Sequence, residues 1–333
     1  MKLYYIILPL IVLVTACTGL PNIFGGDVLN INTIINQEGP KDSVVIKNVQ
    51  TIPTSPMLPD RDIEFFFSIE NKDDQKPAEN VAVSLFDAPT FKDREGTLCN
   101  SAGSKCIPDI CYEGHVCELP PGDEKVITYK LKAPSKTDIV DLETPTKLNF
   151  KVNYDYDTSL IFIVPVVDME EVLARQRAGA KTTIDISKIH GSGPVKIDAE
   201  IVGAPYMLEG YTSVINFKIK KTGSEAGTIE GSVIPIGSMT IKIPKILNSK
   251  HSDKIFNNDY STKIPFGGEA EQDLDVWTNQ QPISLYKGET KTSLRFEVSP
   301  EPITVPFQSY DITATLDYTY EVRGSESVKI SPR

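Results

Sequence analysis

Four cysteines crowd into one short stretch of the chain, and their spacing limits the chemistry they could do. They are Cys99, Cys106, Cys111 and Cys117. A closely spaced, even set of cysteines is typical of a disulfide framework, which persists only in an oxidising compartment. A zinc site is the weaker alternative, because the stretch has no Cys-x-x-Cys pair and only His115 as a nitrogen ligand. The sequence predicts two disulfides and leaves all pairings open, although a hairpin would make Cys99 with Cys117 and Cys106 with Cys111 the simplest.

The fifth cysteine, Cys17, closes an N-terminal apolar run. A positively charged start precedes the run, which is shorter than the ~20 residues of a membrane-spanning helix, so residues 1–16 are predicted to be a signal peptide. The segment Val14-Thr15-Ala16-Cys17 resembles the lipobox of prokaryotic lipoproteins. The resemblance implies that Cys17 carries acyl chains and that residues 17–42 form a tether at the membrane. An ordinary signal peptide, or an uncleaved signal helix, remains the alternative.

The histidines offer little for acid–base catalysis. His115, His190 and His251 all fall in predicted loops or linkers without an evident partner. Two fragments match motifs of penicillin-binding enzymes, Ser284 to Lys287 as Ser-x-x-Lys and Lys221 to Gly223 as Lys-Thr-Gly. Their order is reversed relative to that family, and the Ser-Asp-Asn motif is missing. We therefore expect no enzyme, no catalytic residue and no cofactor.

Three pairs of aspartates could supply oxygen ligands to calcium, which needs about six to eight of them. No pair is completed by an EF-hand spacing, so solvated turns are the favoured interpretation and no metal site is predicted. The pairs are Asp60 with Asp62, Asp155 with Asp157, and Asp273 with Asp275.

The stretch from Asn248 to Gln281 holds the only tryptophan, Trp277, together with Tyr260 and Phe266. We interpret it as a variable loop, and these three side chains as a possible ligand-binding surface, because sandwich folds place specificity in such loops. The two Tyr-x-Tyr segments, at Tyr154 and Tyr318, are instead expected to pack in the core or at a sheet edge.

The net charge of the chain indicates which classes of partner it is expected to bind. A formal net charge of -11 repels phosphate backbones, so nucleic acid is not an expected partner. Apolar residues at 40% and an ordinary mean hydropathy are typical of a globular chain rather than a membrane bundle.

One segment of the chain is nearly repeated. Leu285 to Tyr320 follows the same pattern as Leu119 to Tyr156, which indicates one domain used twice. The matched positions are Leu119 and Leu285, Gly122 and Gly288, Lys125 and Lys291, and Pro134 and Pro300, and each copy ends in Tyr-x-Tyr.

Short alternating segments with turn residues between them predict an all-β fold of two tandem immunoglobulin-like β-sandwich domains. We place the first domain, with its disulfide loop, at residues 43–167 and the second at residues 193–333. Asp168 followed by Glu171 forms a capping-box pattern, which predicts a short helix within a linker at residues 168–192. We expect the second domain to unfold cooperatively when expressed alone.

The turn at Glu70-Asn71-Lys72 and the following Pro77-Ala78-Glu79-Asn80-Val81 resemble the CARDB-like immunoglobulin-type adhesion modules of archaeal and bacterial surface proteins. The resemblance implies a β-sandwich at the cell surface, used as a spacer or adhesive module, with no catalytic residues to carry over. Together with the lipobox, it implies a membrane-anchored, extracytoplasmic protein whose ligand is a protein or glycan. The alternative is a secreted glycan-binding accessory, or degenerate enzyme component, that binds around Trp277.

Overall fold

The computed structural model describes residues 42–88, 91–93, 118–139, 144–179, 186–252, 254–266, 270–290 and 293–331. All of these residues belong to one compact unit. Within them the side chains of residues 87, 93, 144, 259–266 and 270–272 are not described. The four clustered cysteines, His115 and Cys17 lie outside the described residues, so the predicted disulfides and lipid anchor stay predictions.

The described chain is predominantly β, which confirms the predicted fold class. It has one α-helix, α1 (Met169–Arg177), and two 3-10 turns, Glu230–Ser232 and Lys245–Leu247. The strands are β1 (Val44–Ile52), β2 (Asp62–Asn71), β3 (Glu79–Asp87), β4 (Lys92–Asp93), β5 (Glu124–Lys132), β6 (Thr144–Val167), β7 (Ser187–His190), β8 (Val195–Ile201), β9 (Met207–Leu208), β10 (Ser213–Lys221), β11 (Gly227–Ile229), β12 (Val233–Ile234), β13 (Met239–Pro244), β14 (Ser249–Lys250), β15 (Phe256–Phe266), β16 (Ala270–Asn279), β17 (Ile283–Tyr286), β18 (Glu289–Thr290), β19 (Leu294–Val298) and β20 (Phe307–Ile330).

The two halves of the chain build matching sheets. The first half forms a four-stranded sheet in the order β1-β2-β5-β4, and the second half forms β8-β10-β19-β14 within a seven-stranded sheet. The repeated glycines also match, since Gly122 and Gly288 both adopt positive φ angles, of 69° and 83°, in turns. These features support the inference that one unit was used twice.

The central sheet joins the halves instead of separating them. Its nine strands include the path β15-β16-β13-β20-β6-β3, in which β6 of the first half pairs antiparallel with β20 of the second. The two strands have 24 residues each, and they pair from end to end, from Thr144 opposite Ile330 to Val167 opposite Phe307. The prediction of two separate tandem sandwiches is therefore not confirmed, because the boundary at residues 168–192 does not divide two bodies.

Each long strand also reaches into the half to which it does not belong. At the end of β20, the Met57 N–H donates to the Lys329 carbonyl at 2.9 Å, and the Ser331 N–H donates to the Met57 carbonyl at 2.8 Å. At the end of β6, Val166 and Val167 pair with β9 of the second half. The packing of each half is thus completed by a strand from the other half, and the buried residues of both halves form one hydrophobic core.

The core follows from simple alternation along these strands. Every second residue of β6 from Leu148 to Val166 is buried, as the sequence pattern predicts for a strand with one face in a core. Phe150 of β6 stacks on Phe67 of β2 with ring centroids 4.2 Å apart and meets Phe65 at 5.3 Å. Across the sheet Phe150 faces Gly324 of β20, and its ring covers the space that a side chain there would need.

Helix α1 forms where its capping pattern predicts. The Asp168 carboxylate accepts a hydrogen bond from the Glu170 N–H at 3.1 Å, which satisfies one of the unpaired amides of the first turn. Glu171 does not reach back to complete a capping box, because it pairs with Arg175 at 2.6 Å.

Candidate functional site

The centre of the β6–β20 pair carries four buried tyrosines. Tyr154 and Tyr156 of β6 lie opposite Tyr320 and Tyr318 of β20. Their ring centroids are 5.8 to 6.3 Å apart, and every ring is 5% exposed or less. A local two-fold axis between Asp155 and Thr319 exchanges the two cross-strand pairs, so the repeated Tyr-x-Tyr segments meet each other at the junction of the halves. Their expected place in the core is confirmed.

Two of these tyrosines bind carboxylates. The Tyr156 hydroxyl donates a short hydrogen bond to Asp73, which is 2% exposed, and lies 3.2 Å from the Ser192 hydroxyl. Burial raises the pKa of Asp73, but hydrogen bonds from Tyr156, Ser192 and backbone amides outweigh this effect and hold that pKa below its usual value. On the other side of the axis, the Tyr320 hydroxyl donates to Asp42 at 3.4 Å. Burial raises the pKa of Tyr320, so its hydroxyl stays protonated and can donate.

We expect Tyr156→Phe to lower the free energy of unfolding by about 1.5–3 kcal/mol at neutral pH, because it removes a donor from a buried charge. Asp73 has a depressed pKa, so the contribution of its bonds is complete above the ordinary value of 3.8 and is lost as the pH falls through the folded-state pKa. The difference between the two proteins should shrink accordingly below about pH 4. Urea unfolding measured across this pH range checks the prediction.

The matched control is Tyr286→Phe, since Tyr286 is 61% exposed. A loss of stability no larger for Tyr156→Phe than for this control would contradict the role given to the Tyr156 hydroxyl.

The opposite face of the same strand pair lines a cleft of about 580 Å³. Asp157 and Asp317 face each other across the strands, and Asp157 forms an ion pair with Lys76 at 2.6 Å. Burial raises the pKa of Asp317, and the charge of Asp157 adds to the effect. Asp155 accepts hydrogen bonds from Asn80 at 2.7 Å and from Thr319 at 2.5 Å.

The structure also places the aspartates that were considered as calcium ligands. Among the described residues, no group of three or more His, Cys, Asp or Glu side chains could hold a metal ion. Asp60 precedes β2, which begins with Asp62, and Asp273 and Asp275 lie in β16. The calcium interpretation of the aspartate pairs therefore gains no support from the described part of the chain.

The structure places Trp277 in a strand and not in a loop. It lies in β16, is 8% exposed, and its indole N–H donates to the Ser249 hydroxyl at 2.9 Å. The polar stretch predicted as a loop folds instead into the β15–β16 hairpin, which extends the central sheet beside β13. Tyr260 and Phe266 lie in β15, but their side chains are among those not described.

The remaining predicted candidates have structural partners. His190 lies in β7, with its ring Nδ1 3.0 Å from the Ile197 carbonyl, and burial lowers its pKa. The His251 Nδ1 lies 2.7 Å from the Arg295 carbonyl, and its ring packs on Phe296 at 4.6 Å. Ser284 is in β17, and the fragment from Lys221 to Gly223 ends β10, so the two motif fragments belong to strands and turns.

Sequence reasoning missed the carboxylates that complete the junction. Asp73 belongs to the polar turn after β2, and Asp42 was placed at the end of the tether; both look like solvated residues in the sequence. The signal that could have found them is the repeat itself, because both copies end in Tyr-x-Tyr at matching positions. Two buried tyrosine pairs that meet at an axis require partners for their hydroxyl groups.

No protein-family model matches the chain, and a search of curated proteins returns no match. Among the residues that the structure describes, no helix has the length and apolar character needed to cross a membrane.

Proposed function

We propose that the protein is a non-catalytic surface lipoprotein, held to the membrane by acylated Cys17, that serves as an adhesion, binding or envelope-structural module outside the cytoplasm. Each half of its β body derives from one immunoglobulin-like sandwich unit, and the copies are interlocked through the central sheet. The lipobox-like segment before Cys17 supports the anchor, and the matching sheets of the halves support the duplication.

The observation that supports a structural rather than a catalytic role is that the buried carboxylates are bound to other side chains of the protein. Asp73, with a lowered pKa and 2% exposure, is bound to Tyr156 and is not poised to exchange a proton with a substrate. Glu321, 3% exposed, binds Lys151 of the first half at 2.7 Å and Arg323 at 2.6 Å. Of these contacts, the ion pair between Glu321 and Lys151 joins the two halves, whereas the bond between Tyr156 and Asp73 fixes the turn after β2 on β6.

The glycan-binding alternative has lost its main support, because Trp277 is a core residue bonded to Ser249. We place partner specificity at the edges of the central sheet, where the β15–β16 hairpin occupies the second-half position equivalent to the cysteine-rich stretch. The equivalence follows from the matched strands β4 and β14, each of which directly precedes one of these insertions.

We expect Cys17→Ser to move the protein from the membrane fraction to the soluble fraction. Acyl chains contribute about 0.8 kcal/mol per buried methylene, and two chains are needed for stable anchoring. Cell fractionation followed by immunoblotting measures the partition. Cys99→Ser serves as the matched control, because it removes a thiol without touching the anchor. If Cys17→Ser remains in the membrane fraction, an uncleaved signal helix holds the protein instead.

The binding role is tested with the soluble Cys17→Ser protein and purified envelope fragments of the source cells. We expect saturable binding that unlabelled protein competes away. Absence of saturable binding would contradict adhesion and leave the envelope-structural role.

A further inference from the structure

The first described residue, Asp42, is bound to the second half of the chain. Its two carboxylate oxygens accept from the backbone N–H of Ser224 at 3.0 and 3.1 Å, and one of them also accepts from the Tyr320 hydroxyl at 3.4 Å. Only Ser43 separates Asp42 from β1. The predicted tether therefore reaches the body at the junction of the halves, and the contact is made before the first strand begins.

The next two residues are held as well. The Ser43 carbonyl accepts from the Lys72 N–H at 2.6 Å, and Ser43 is fully buried. The Val44 N–H donates to the Tyr154 hydroxyl at 3.4 Å. Residues 42–44, which we term the entry segment, are thus bonded to β20, to the turns after β2 and β10, and to β6.

The repeat shows that the Asp42 contact is specific to one half. Ile46 pairs with Ile69 in the first half, and Ile197 pairs with Ile219 in the second. This register makes Gly193 the counterpart of Asp42. The bond from the Lys72 N–H to the Ser43 carbonyl recurs in the second half, where the N–H groups of Thr222 and Gly223 donate to the Pro194 carbonyl at 2.8 and 3.0 Å.

The same register makes Gly223 the counterpart of Asp73. Asp73 supplies the carboxylate for Tyr156, whereas at Gly223 the carboxylate comes from Asp42. A Cβ atom at Gly223 would collide with both the Asp42 carboxylate and the Tyr320 hydroxyl. Because Gly223 has no side chain, there is space for the Asp42 carboxylate beside Tyr320. The equivalent tyrosines Tyr156 and Tyr320 therefore bind carboxylates that come from different places in the chain.

We propose that Asp42 is a clasp that fixes the point where the tether enters the body and holds the start of β1 in its sheet. β1 is an edge strand of the four-stranded sheet, with β2 as its neighbour. A strand held at one edge opens from its end, and the clasp closes that end by bonding it to Ser224 of the other half. The link to a membrane tether rests on the proposed anchor at Cys17, but the clasp itself does not.

Hydrogen–deuterium exchange on the soluble Cys17→Ser full chain tests the clasp. In Asp42→Ala we expect the amides of β1 to exchange on the order of tenfold faster, with β10 and β19 unchanged, because only the local opening of β1 gains population. Gly223→Ala should give the same pattern by displacing the carboxylate, and Tyr320→Phe a weaker one. The matched control is Asp74→Ala, an exposed aspartate, which should leave β1 unchanged.

Unchanged exchange of β1 in both Asp42→Ala and Tyr320→Phe overturns the clasp. Equally faster exchange throughout the body also overturns it, because Asp42 would then contribute only to global stability. Membrane partition of the Cys17 variants is measured separately, so a failed anchor and a failed clasp give different results.

Discussion

The two halves of the chain, produced as separate polypeptides covering residues 42–179 and 186–331, will not fold alone and will fold together when mixed. Each half on its own would expose the full unpaired edge of a 24-residue strand. Its core would also lack the strand segment that the other half supplies, and unpaired hydrophobic edges favour aggregation. Circular dichroism, size-exclusion chromatography and thermal unfolding of each half and of the mixture measure the outcome.

The control is the intact chain cut once by a protease site placed between residues 179 and 186. This nicked protein keeps both halves at high local concentration and should retain its fold. Cooperative unfolding of the second half alone, at the melting temperature of the whole chain, would contradict the prediction and restore the idea of independent domains.

The contact between Phe150 and Gly324 should show strong coupling between the halves. Phe150→Ala is expected to lower the free energy of unfolding by about 3–5 kcal/mol, because the ring is fully buried and packs on Phe65 and Phe67. Gly324→Ala alone should cost about 1–3 kcal/mol, because its added methyl group would overlap the Phe150 ring. In the Phe150→Ala background the same glycine substitution should cost much less, since the ring is gone.

Urea unfolding of the four proteins in this double-mutant cycle gives the coupling energy. Phe307→Ala is the matched control, because Phe307 is 50% exposed and lies at the other end of β20. Additive effects of the two substitutions would show that Phe150 and Gly324 do not share one packing site.

The sequence predicts the individual strands and the helix well, but it does not predict which strands pair with each other. The alternation of Ile63, Phe65, Phe67 and Ile69 predicts β2 and its buried face, and Asp168 predicts the start of α1, because both depend on neighbours in the chain. Strand partners are different. Alternation along β6 predicts that one face of the strand is buried, but it does not predict which strand pairs with its edge. In a duplicated unit, a strand can pair within its own copy or with the other copy.

The same limit explains the errors at the candidate site. The polar composition of the stretch from Asn248 to Gln281 predicts a loop around Trp277, yet Trp277 lies in β16 opposite the buried Ile241 and faces the core. Asp73 lies in a polar turn and Asp42 lies just before β1, and nothing local distinguishes a solvated aspartate from one that binds a tyrosine hydroxyl. Only the repeated Tyr-x-Tyr segments hinted that polar partners would be needed.

Because β20 pairs along the whole of β6 and follows every other described strand in chain order, the central sheet cannot be completed before the C-terminal part of the chain has been synthesised. The first half would stay incompletely packed until β20 has been synthesised. For the exported lipoprotein proposed above, the central sheet would therefore be completed only after the whole chain has crossed the membrane.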